Sequence, residues 1–436
     1  MKLATSRWAI AAGVRGSGLK ATRPYPSAMA TQDASTDAGV SFATDQETRL
    51  ILDSIDEFIE REVEPIEERL GETNENPRLR HQADGRIVPE VLEAIREVRK
   101  KSAEAGFYAM NLPEDVGGEG VSTVTWYRAK RHVASKGAGL SSHVLAGPEG
   151  PKPLLLQAEG EQVERYLKPT IRAETSTAFA QTEPAVGSDS PNMATTAERD
   201  GDDWVLNGRK QWITNAPYAD FIQVFARTTP QEEAGRYGGI TCFIVEADEY
   251  EVGSFNNAVG SVGMQAEVVL DDVRLPDSRV LGEPDAAFYD AMEFLSLGRL
   301  ELGAEAVGLG DHLVDLAVDY ATEREAFGRT IGQFQQISTK IAKGRAKNYA
   351  ADAAGLRCAW QMERGEPAIE DSSIFKWFAT DALWQLADDV VQVHGSSGLA
   401  EENPFMDYLH QARILRIVEG TDEIQLNTIA KQLGVL

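Results

Sequence analysis

Phe179-Ala-Gln-Thr-Glu-Pro-Ala-Val-Gly-Ser-Asp189 and Leu206-Asn-Gly-Arg-Lys-Gln-Trp-Ile-Thr-Asn215 are the two stretches on which the reading of this chain turns. The first reads as a strand running into a turn. Its backbone amides, its hydroxyls (Thr182, Ser188) and its small residues suit a polar planar ring and phosphates. The second places Trp212 and Thr214 on one face of a strand, two residues apart, which pairs an aromatic wall with a hydroxyl donor. Taken singly, each is more often an ordinary turn and a core tryptophan.

Outward from these stretches the texture is β-rich. Short runs at 176–182, 204–207, 211–214, 221–227 and 241–245 are separated by turn chemistry: Asp200-Gly-Asp-Asp203, Asn207-Gly208 and Gly238-Gly239. They predict a middle antiparallel β domain over residues 175–286. Upstream, Ile51, Ile55, Phe58 and Ile59 recur at i, i+4, i+7 and i+8, and Val91, Ile95 and Val98 repeat the pattern, which predicts an N-terminal helical domain over 41–174. Downstream, apolar residues at helical spacing over 294–322, 333–364, 372–394 and 421–433 predict a C-terminal four-helix-type bundle over 287–436. The fold class is α+β, with helices, a β domain and a helical bundle in that order.

A chain of 436 residues, 42% hydrophobic and 26% charged, has material for two or three domains and a large core. No apolar run approaches the ~18–20 residues that a bilayer crossing needs. The 43 basic residues face 69 acidic ones, a formal charge of −26, which repels phosphate backbones and anionic lipid and argues against nucleic-acid or membrane binding. Only 14 of the 43 are Lys, and a carboxylate-rich, lysine-poor surface is the composition expected of a protein working in concentrated salt, where the Debye length shrinks to about 3 Å. The composition points to a halophilic, haloarchaeal cytoplasm. Cys242 and Cys358 provide no disulfide framework and no thiolate metal site. Residues 1–32 hold five basic residues and no acid, which fits either an Arg-rich transit peptide or a start at Met29 with a spurious extension before it, the second being the preferred reading. In both cases residues 1–40 are a tail outside the fold.

Several chemistries drop out. The sequence has no HExxH, CxxC, GxSxG or Walker motif, so no metal is expected. Gly308-Leu-Gly310 lies inside a helical pattern rather than after a strand, and His143 and His394 each stand alone.

The two opening motifs together resemble the acyl-CoA dehydrogenase family. The C-terminal third continues the resemblance in order: Leu297-Gly-Arg-Leu300, Glu323-Arg-Glu-Ala-Phe-Gly-Arg329, Phe334-Gln-Gln-Ile337, Val391-Gln-Val-His-Gly395 and Val418-Glu-Gly-Thr421. The resemblance implies a flavoenzyme that binds FAD, oxidises an acyl-CoA to the trans-2-enoyl-CoA and passes electrons to an electron-transferring flavoprotein, as a homotetramer built as a dimer of dimers. It implies that Phe179, Gln181, Thr182, Gly187 and Ser188 line the flavin. Trp212 would pack on the ring, with Ile213 beside it, and Thr214 would hydrogen-bond near N5. Arg324, Phe327, Gln335, Gln392 and Ser396 would reach the pyrophosphate and adenine from a neighbouring subunit, Thr421 and Glu423 would complete the adenine side, and Ser188, Arg299 and Gly420 would touch the CoA substrate.

The chemistry needs a base for the α-proton, and a carboxylate in a dry pocket has its pKa raised to suit. Glu419 is the candidate, between the apolar stretch 414–418 and Gly420, just before a helix opening with Thr421-Asp-Glu423. Some relatives carry the base on an earlier helix. The matching position here is Gly298, which has no carboxylate, and Glu301 is the fallback. Three departures from the family pattern stand out: Gly395-Ser-Ser-Gly398 replaces a glycine by Ser396, His410-Gln411 stands where Arg-Asp is usual, and 261–268 is short and lacks Gly-x-Arg. An acyl-CoA oxidase would keep the same residues, and a non-dehydrogenase flavoprotein of the same fold, such as the DNA-associated alkylation-response branch, would need a basic patch that a charge of −26 does not offer.

Overall fold

The computed structural model describes residues 42–137, 139–258 and 263–436; the N-terminal tail and positions 261 and 262 of the short stretch lie outside the described residues. The chain opens with α1 (Gln46–Phe58), whose first turn is capped by the Asp45 carboxylate accepting from the Thr48 amide at 2.7 Å. α2 (Pro89–Glu104) starts on Pro89, pre-set for a first helical turn, and α3 (Thr123–Ala134) is capped by Ser122. Ile55, Ile66, Val98, Trp126 and Leu145 form their common core.

Eight strands make the central sheet: β1 (Thr177–Ala180), β2 (Thr196–Asp200), β3 (Asp203–Thr214), β4 (Phe221–Arg227), β5 (Ile240–Glu246), β6 (Glu251–Phe255), β7 (Gln265–Pro276) and β8 (Val280–Leu281). Their order is β6-β7-β3-β2-β4-β5-β8, with β1 added beside β4. Most pairs are antiparallel, but β1 lies parallel to β4, since it enters from the helical region instead of through a hairpin. β4 and β5 are buried along nearly their whole length and read as unbroken apolar runs.

The turn expected at Asn207-Gly208 is not there: the two short runs are one twelve-residue strand, β3. Two irregularities explain the misreading. Opposite Asn207 the extra residue belongs to β7, where Asp272 sits at φ 49° and exchanges two hydrogen bonds with the Asn207 amide group at 2.9 and 3.0 Å. Between Lys210 and Ile213 the extra residue belongs to β3 itself, a β-bulge with Trp212 at φ 62°.

The C-terminal region comprises α4 (Ala287–Glu323), α5 (Gln335–Glu363), α6 (Ile369–His394), α7 (Phe405–Leu415) and α8 (Asp422–Gln432). Its core packs Leu300, Val307, Leu313, Phe375, Leu383 and Leu386. α7 was missed in the sequence, although Phe405, Tyr408, Ala412 and Leu415 are buried at i, i+3, i+7 and i+10. α3 also joins this core: the Tyr127 hydroxyl donates to Asp352 at 2.9 Å, and Arg131 pairs with Asp311 and Asp352 at 2.7 and 3.0 Å. That contact explains Gly308, because a Cβ there would come within 2.2 Å of the Arg131 carbonyl; the glycine permits a helix crossing. His394 is likewise structural, its ring stacked on Tyr320 and its Nδ1 2.8 Å from the Val390 carbonyl oxygen.

Candidate active site

The two opening motifs meet in space. The Gln211 amide donates to the Thr182 carbonyl at 2.9 Å, and Lys210 Nζ donates to the Gln181 carbonyl at 3.3 Å. Beneath them lies an ion pair that sequence reasoning missed. Lys210 Nζ is 2.8 Å from Glu183 Oε1, with the two side chains 0% and 4% exposed. Glu183 also accepts from the Ala194 and Thr195 amides at 2.6 and 3.0 Å, so it ties both ends of the 183–195 loop to β3. Burial opposes both charges. It pushes Lys210 down to about 8, while for Glu183 the lysine and the hydrogen bonds outweigh burial and hold the carboxyl below its usual range. The only sequence signal was an acid and a lysine within two motifs already singled out.

Above the pair, the bulge turns Trp212 outward. It is 53% exposed, a large indole left open on the rim, and Ile213 beside it is buried. Thr214, Gln181 and Thr182 are half-buried, and Gly187 and Ser188 are exposed on the loop. Phe179 packs against Phe225 with the rings tilted at 55° and their centroids 4.8 Å apart. Gln181 Nε2 is buried without a hydrogen-bond partner. An unpartnered amide donor, the exposed Ser188 hydroxyl and an open indole fit a polar aromatic ring system such as that of FAD.

A second group forms around Glu419, on the link from α7 to α8. The residue sits at φ 52°, a left-handed conformation costly for a side chain with a Cβ. Three hydrogen bonds hold it: Gln425 Nε2 donates to the Glu419 and Gly420 carbonyls at 3.0 and 2.9 Å, and Lys376 Nζ donates to the Gly420 carbonyl at 2.8 Å. Lys376 is fully buried on α6, and burial pushes its ammonium down to about 8 against the pull of Asp422 and Glu419. Neither Lys376 nor Gln425 was anticipated. Both stand at core positions of amphipathic helices, where an apolar residue is the default expectation.

The Glu419 carboxylate abuts α4. A Cβ on Gly298 would lie 3.1 Å from Glu419 Oε2, so the two positions at which the base can reside converge on one spot. Burial raises the Glu419 pKa, Lys152 opposes it, Glu301 adds to it, and Arg299 and Lys376 oppose it again. Arg299 is buried, donates to Ser373 Oγ at 3.3 Å and keeps its Nε unpartnered. Glu301, the fallback base, is otherwise engaged. It pairs with Lys152 at 2.8 Å and accepts from Trp126 Nε1 at 2.9 Å; burial raises its pKa, but the lysines outweigh that and hold it ionised below its usual range. Gln411, in the His410-Gln411 pair that stands where Arg-Asp is usual, donates to Glu305 Oε1 at 2.8 Å.

A third group is spread over the bundle surface. Arg324, Phe327, Gln335, Gln392 and Ser396 are all exposed, Phe327 by 95% and at φ 52° on a tight hairpin. Ser396 is tolerated in Gly395-Ser-Ser-Gly398 since it points to solvent, whereas a Cβ on Gly398 would meet the Val391 carbonyl at 2.5 Å. Thr421 caps α8 and, with Glu423, Trp384, Arg413 and Arg416, lines a cavity of about 310 Å³. Trp212, Phe327 and Glu419 are three of the seven non-glycine residues at positive φ among the described residues, and strain of this kind gathers at functional sites. The described residues contain no metal-ligating cluster and no helix long and apolar enough to cross a membrane.

The whole architecture has known counterparts. Three family profiles match in succession: acyl-CoA dehydrogenase, N-terminal domain over residues 45–174, middle domain over 178–273 and C-terminal domain over 288–434. A 3-(aryl)acrylate reductase of Clostridium sporogenes is 35% identical over 90% of this chain and 99% of its own length. Subunit CarC of the caffeyl-CoA reductase–Etf complex of Acetobacterium woodii is 32% identical over 80% of this chain and 95% of its own. The butyryl-CoA dehydrogenase structure from Megasphaera elsdenii superposes with a TM-score of 0.77 at 27% identity, covering 90% and 99% of the two chains. The chain belongs to the acyl-CoA dehydrogenase family. It is an oxidoreductase acting on CH–CH bonds, and its cofactor is FAD.

Proposed function

We propose that the protein is an acyl-CoA dehydrogenase that converts an acyl-CoA thioester to the trans-2-enoyl-CoA, with Glu419 taking the α-proton. The observation that carries this reading is the carboxylate pinned against Gly298, with its pKa raised by burial and its backbone clamped by Lys376 and Gln425. When bound, FAD supplies the acceptor for the β-hydride. Gln181, Thr182, Ser188, Trp212 and Thr214 would hold its ring, and Thr421 and Glu423 its adenine side. Arg324, Phe327, Gln335, Gln392 and Ser396 would serve the neighbouring subunit in a homotetramer, which accounts for their exposure in the single chain. Electrons would pass to an electron-transferring flavoprotein, a reading supported by the relative that works in a complex with Etf. Two relatives are named as reductases, and the same base in its protonated form returns the proton to the α-carbon when the reaction runs backwards.

Purified protein is expected to carry about one FAD per chain and to lose its flavin absorbance band on anaerobic mixing with acyl-CoA. A folded preparation that takes up no FAD, or bound flavin that no acyl-CoA bleaches, overturns the reading. Persistent rapid reoxidation by O₂ would assign the oxidase variant instead.

The raised pKa also sets a pH dependence. A general base works ionised, so kcat/KM for flavin reduction should fall as the pH drops through the Glu419 pKa, with an acid limb above the ordinary carboxyl value of 4.5. Lys152 favours the ionised form, so Lys152→Met should move the limb to higher pH; a limb at or below 4.5, or one moving the other way, contradicts the assignment.

A further inference from the structure

Glu419 sits on a link of six residues, 416–421, between α7 and α8. Links of this kind are ordinarily the mobile parts of a fold. This one is pinned at both ends and in the middle. Across its ends the Asp422 amide donates to the Arg416 carbonyl at 3.1 Å, and Arg416 Nε donates to Asp422 Oδ2 at 2.6 Å. Arg416 Nη2 also reaches Asp381 on α6, at 3.4 Å. In the middle, Lys376, further back on the same helix, donates to the Gly420 carbonyl at 2.8 Å. α6 therefore grips the link at two points. Lys376 is 0% exposed and Asp422 7%, so water competes little for these bonds.

What is gripped is a strained backbone. Glu419 at φ 52° and Gly420 at φ 89° are consecutive residues at positive φ. Glycine tolerates this, but Glu419 carries a Cβ, and such a residue leaves the left-handed region unless its surroundings hold it there. Backbone dihedrals fix the direction of the Cα–Cβ bond. Relaxed to an ordinary conformation, Glu419 would swing its carboxylate away from the spot beside Gly298. Gln425 shares the restraint with two neutral bonds, and a charge-assisted bond is roughly twice as strong as a neutral one. The heaviest restraints are therefore Lys376 in the middle and Arg416 across the ends.

We propose that Lys376 and Arg416 are positioning residues of the reaction, holding Glu419 in its left-handed conformation and so keeping its carboxylate at the spot beside Gly298. Their hydrogen bonds end on the link backbone and on Asp422, so each acts through the chain that carries the base. The inference rests on the reading of Glu419 as the base and adds the residues that aim it.

The test is stopped-flow bleaching of the flavin at saturating acyl-CoA in Lys376→Met and Arg416→Met, each also made in Glu419→Gln. Lys376→Met should keep its FAD and bleach roughly tenfold to hundredfold more slowly, the equilibrium weight of one charge-assisted hydrogen bond. Arg416→Met, at a half-buried site, should slow bleaching roughly threefold to tenfold, and it decides alone if Lys376→Met does not fold. In Glu419→Gln, either change should alter the residual rate by less than about twofold, because nothing is left to aim. A merely structural role would slow both backgrounds by the same factor, and that result overturns the proposal. So does loss of FAD in both variants, or a folded variant of either kind within about twofold of the wild-type rate. Glu419→Gln bleaching near the wild-type rate overturns the base reading and this inference together; a slow Glu419→Gln beside fast Lys376→Met and Arg416→Met overturns this inference alone.

Discussion

Glu419→Gln is expected to leave a folded protein that still carries FAD, while its reduction by acyl-CoA slows by about 10⁴-fold, the upper end of the 10²–10⁴ that a positioned general base contributes. The amide keeps the shape of the carboxylate and removes its basicity. The backbone clamp should survive, because Lys376 and Gln425 hold the carbonyls of Glu419 and Gly420 and never touch the side chain. Stability should not fall. Burial raises the folded-state pKa of Glu419 above its unfolded value, so the ionised form costs folding free energy at neutral pH, and the neutral amide removes that cost. A melting temperature equal to or above wild type, together with stopped-flow bleaching slowed by orders of magnitude, is the expected pair of results. Near wild-type bleaching would move the base elsewhere. The geometry also specifies a rescue. A side chain at Gly298 would press on the Glu419 carboxylate, so Gly298→Glu needs that carboxylate gone, and Glu419→Gly is the background in which a base on α4 can return part of the rate.

Glu183→Gln should destabilise the protein by about 3–5 kcal/mol, the usual cost of leaving a buried ion without its partner. Lys210 is wholly buried and Glu183 nearly so, and the carboxylate accepts three hydrogen bonds, from Lys210 and from two amides of the 183–195 loop. An amide in its place offers a single acceptor oxygen and an NH₂ that faces donors. The loop carrying Gly187 and Ser188 loses its anchor to β3, so flavin retention should fall along with the melting temperature. Replacing the pair together, Glu183→Leu with Lys210→Met, should recover much of the loss, because two apolar side chains bury no charge. Denaturant titration and flavin release on dilution measure the two effects. A single mutant within 1 kcal/mol of wild type would mean that water reaches Lys210.

Element types were legible in the sequence wherever burial is one-sided, since a half-buried helix or strand writes its period into the chain. Ile51 to Ile59 is of this kind, whereas β4 and β5, buried on both faces, were legible as unbroken apolar runs. The break expected at Asn207-Gly208 came from residues that signal a turn and here face a bulge, a distinction that depends on the strand across the sheet and not on the local dipeptide. The two motifs proposed to face the flavin, and Glu419 as the proposed base, were legible because chemistry fixes residue type and spacing together, and their resemblance to one family is carried in order along the chain. Lys376, Gln425, Lys210 and Lys152 were not. Each is a polar residue separated from its partner along the chain, by up to 149 positions in the case of Lys152 and Glu301, and nothing local marks such a residue as anything but surface.

By itself the sequence determined the order of helical, β and helical regions, because periodicity is a local property, and its ordered resemblance to one family carried the cofactor class. The tertiary structure alone decided what surrounds Glu419. Proximity across the chain selects which charges share one low-dielectric environment, and that selection set the raised pKa of Glu419 and engaged Glu301 with Lys152.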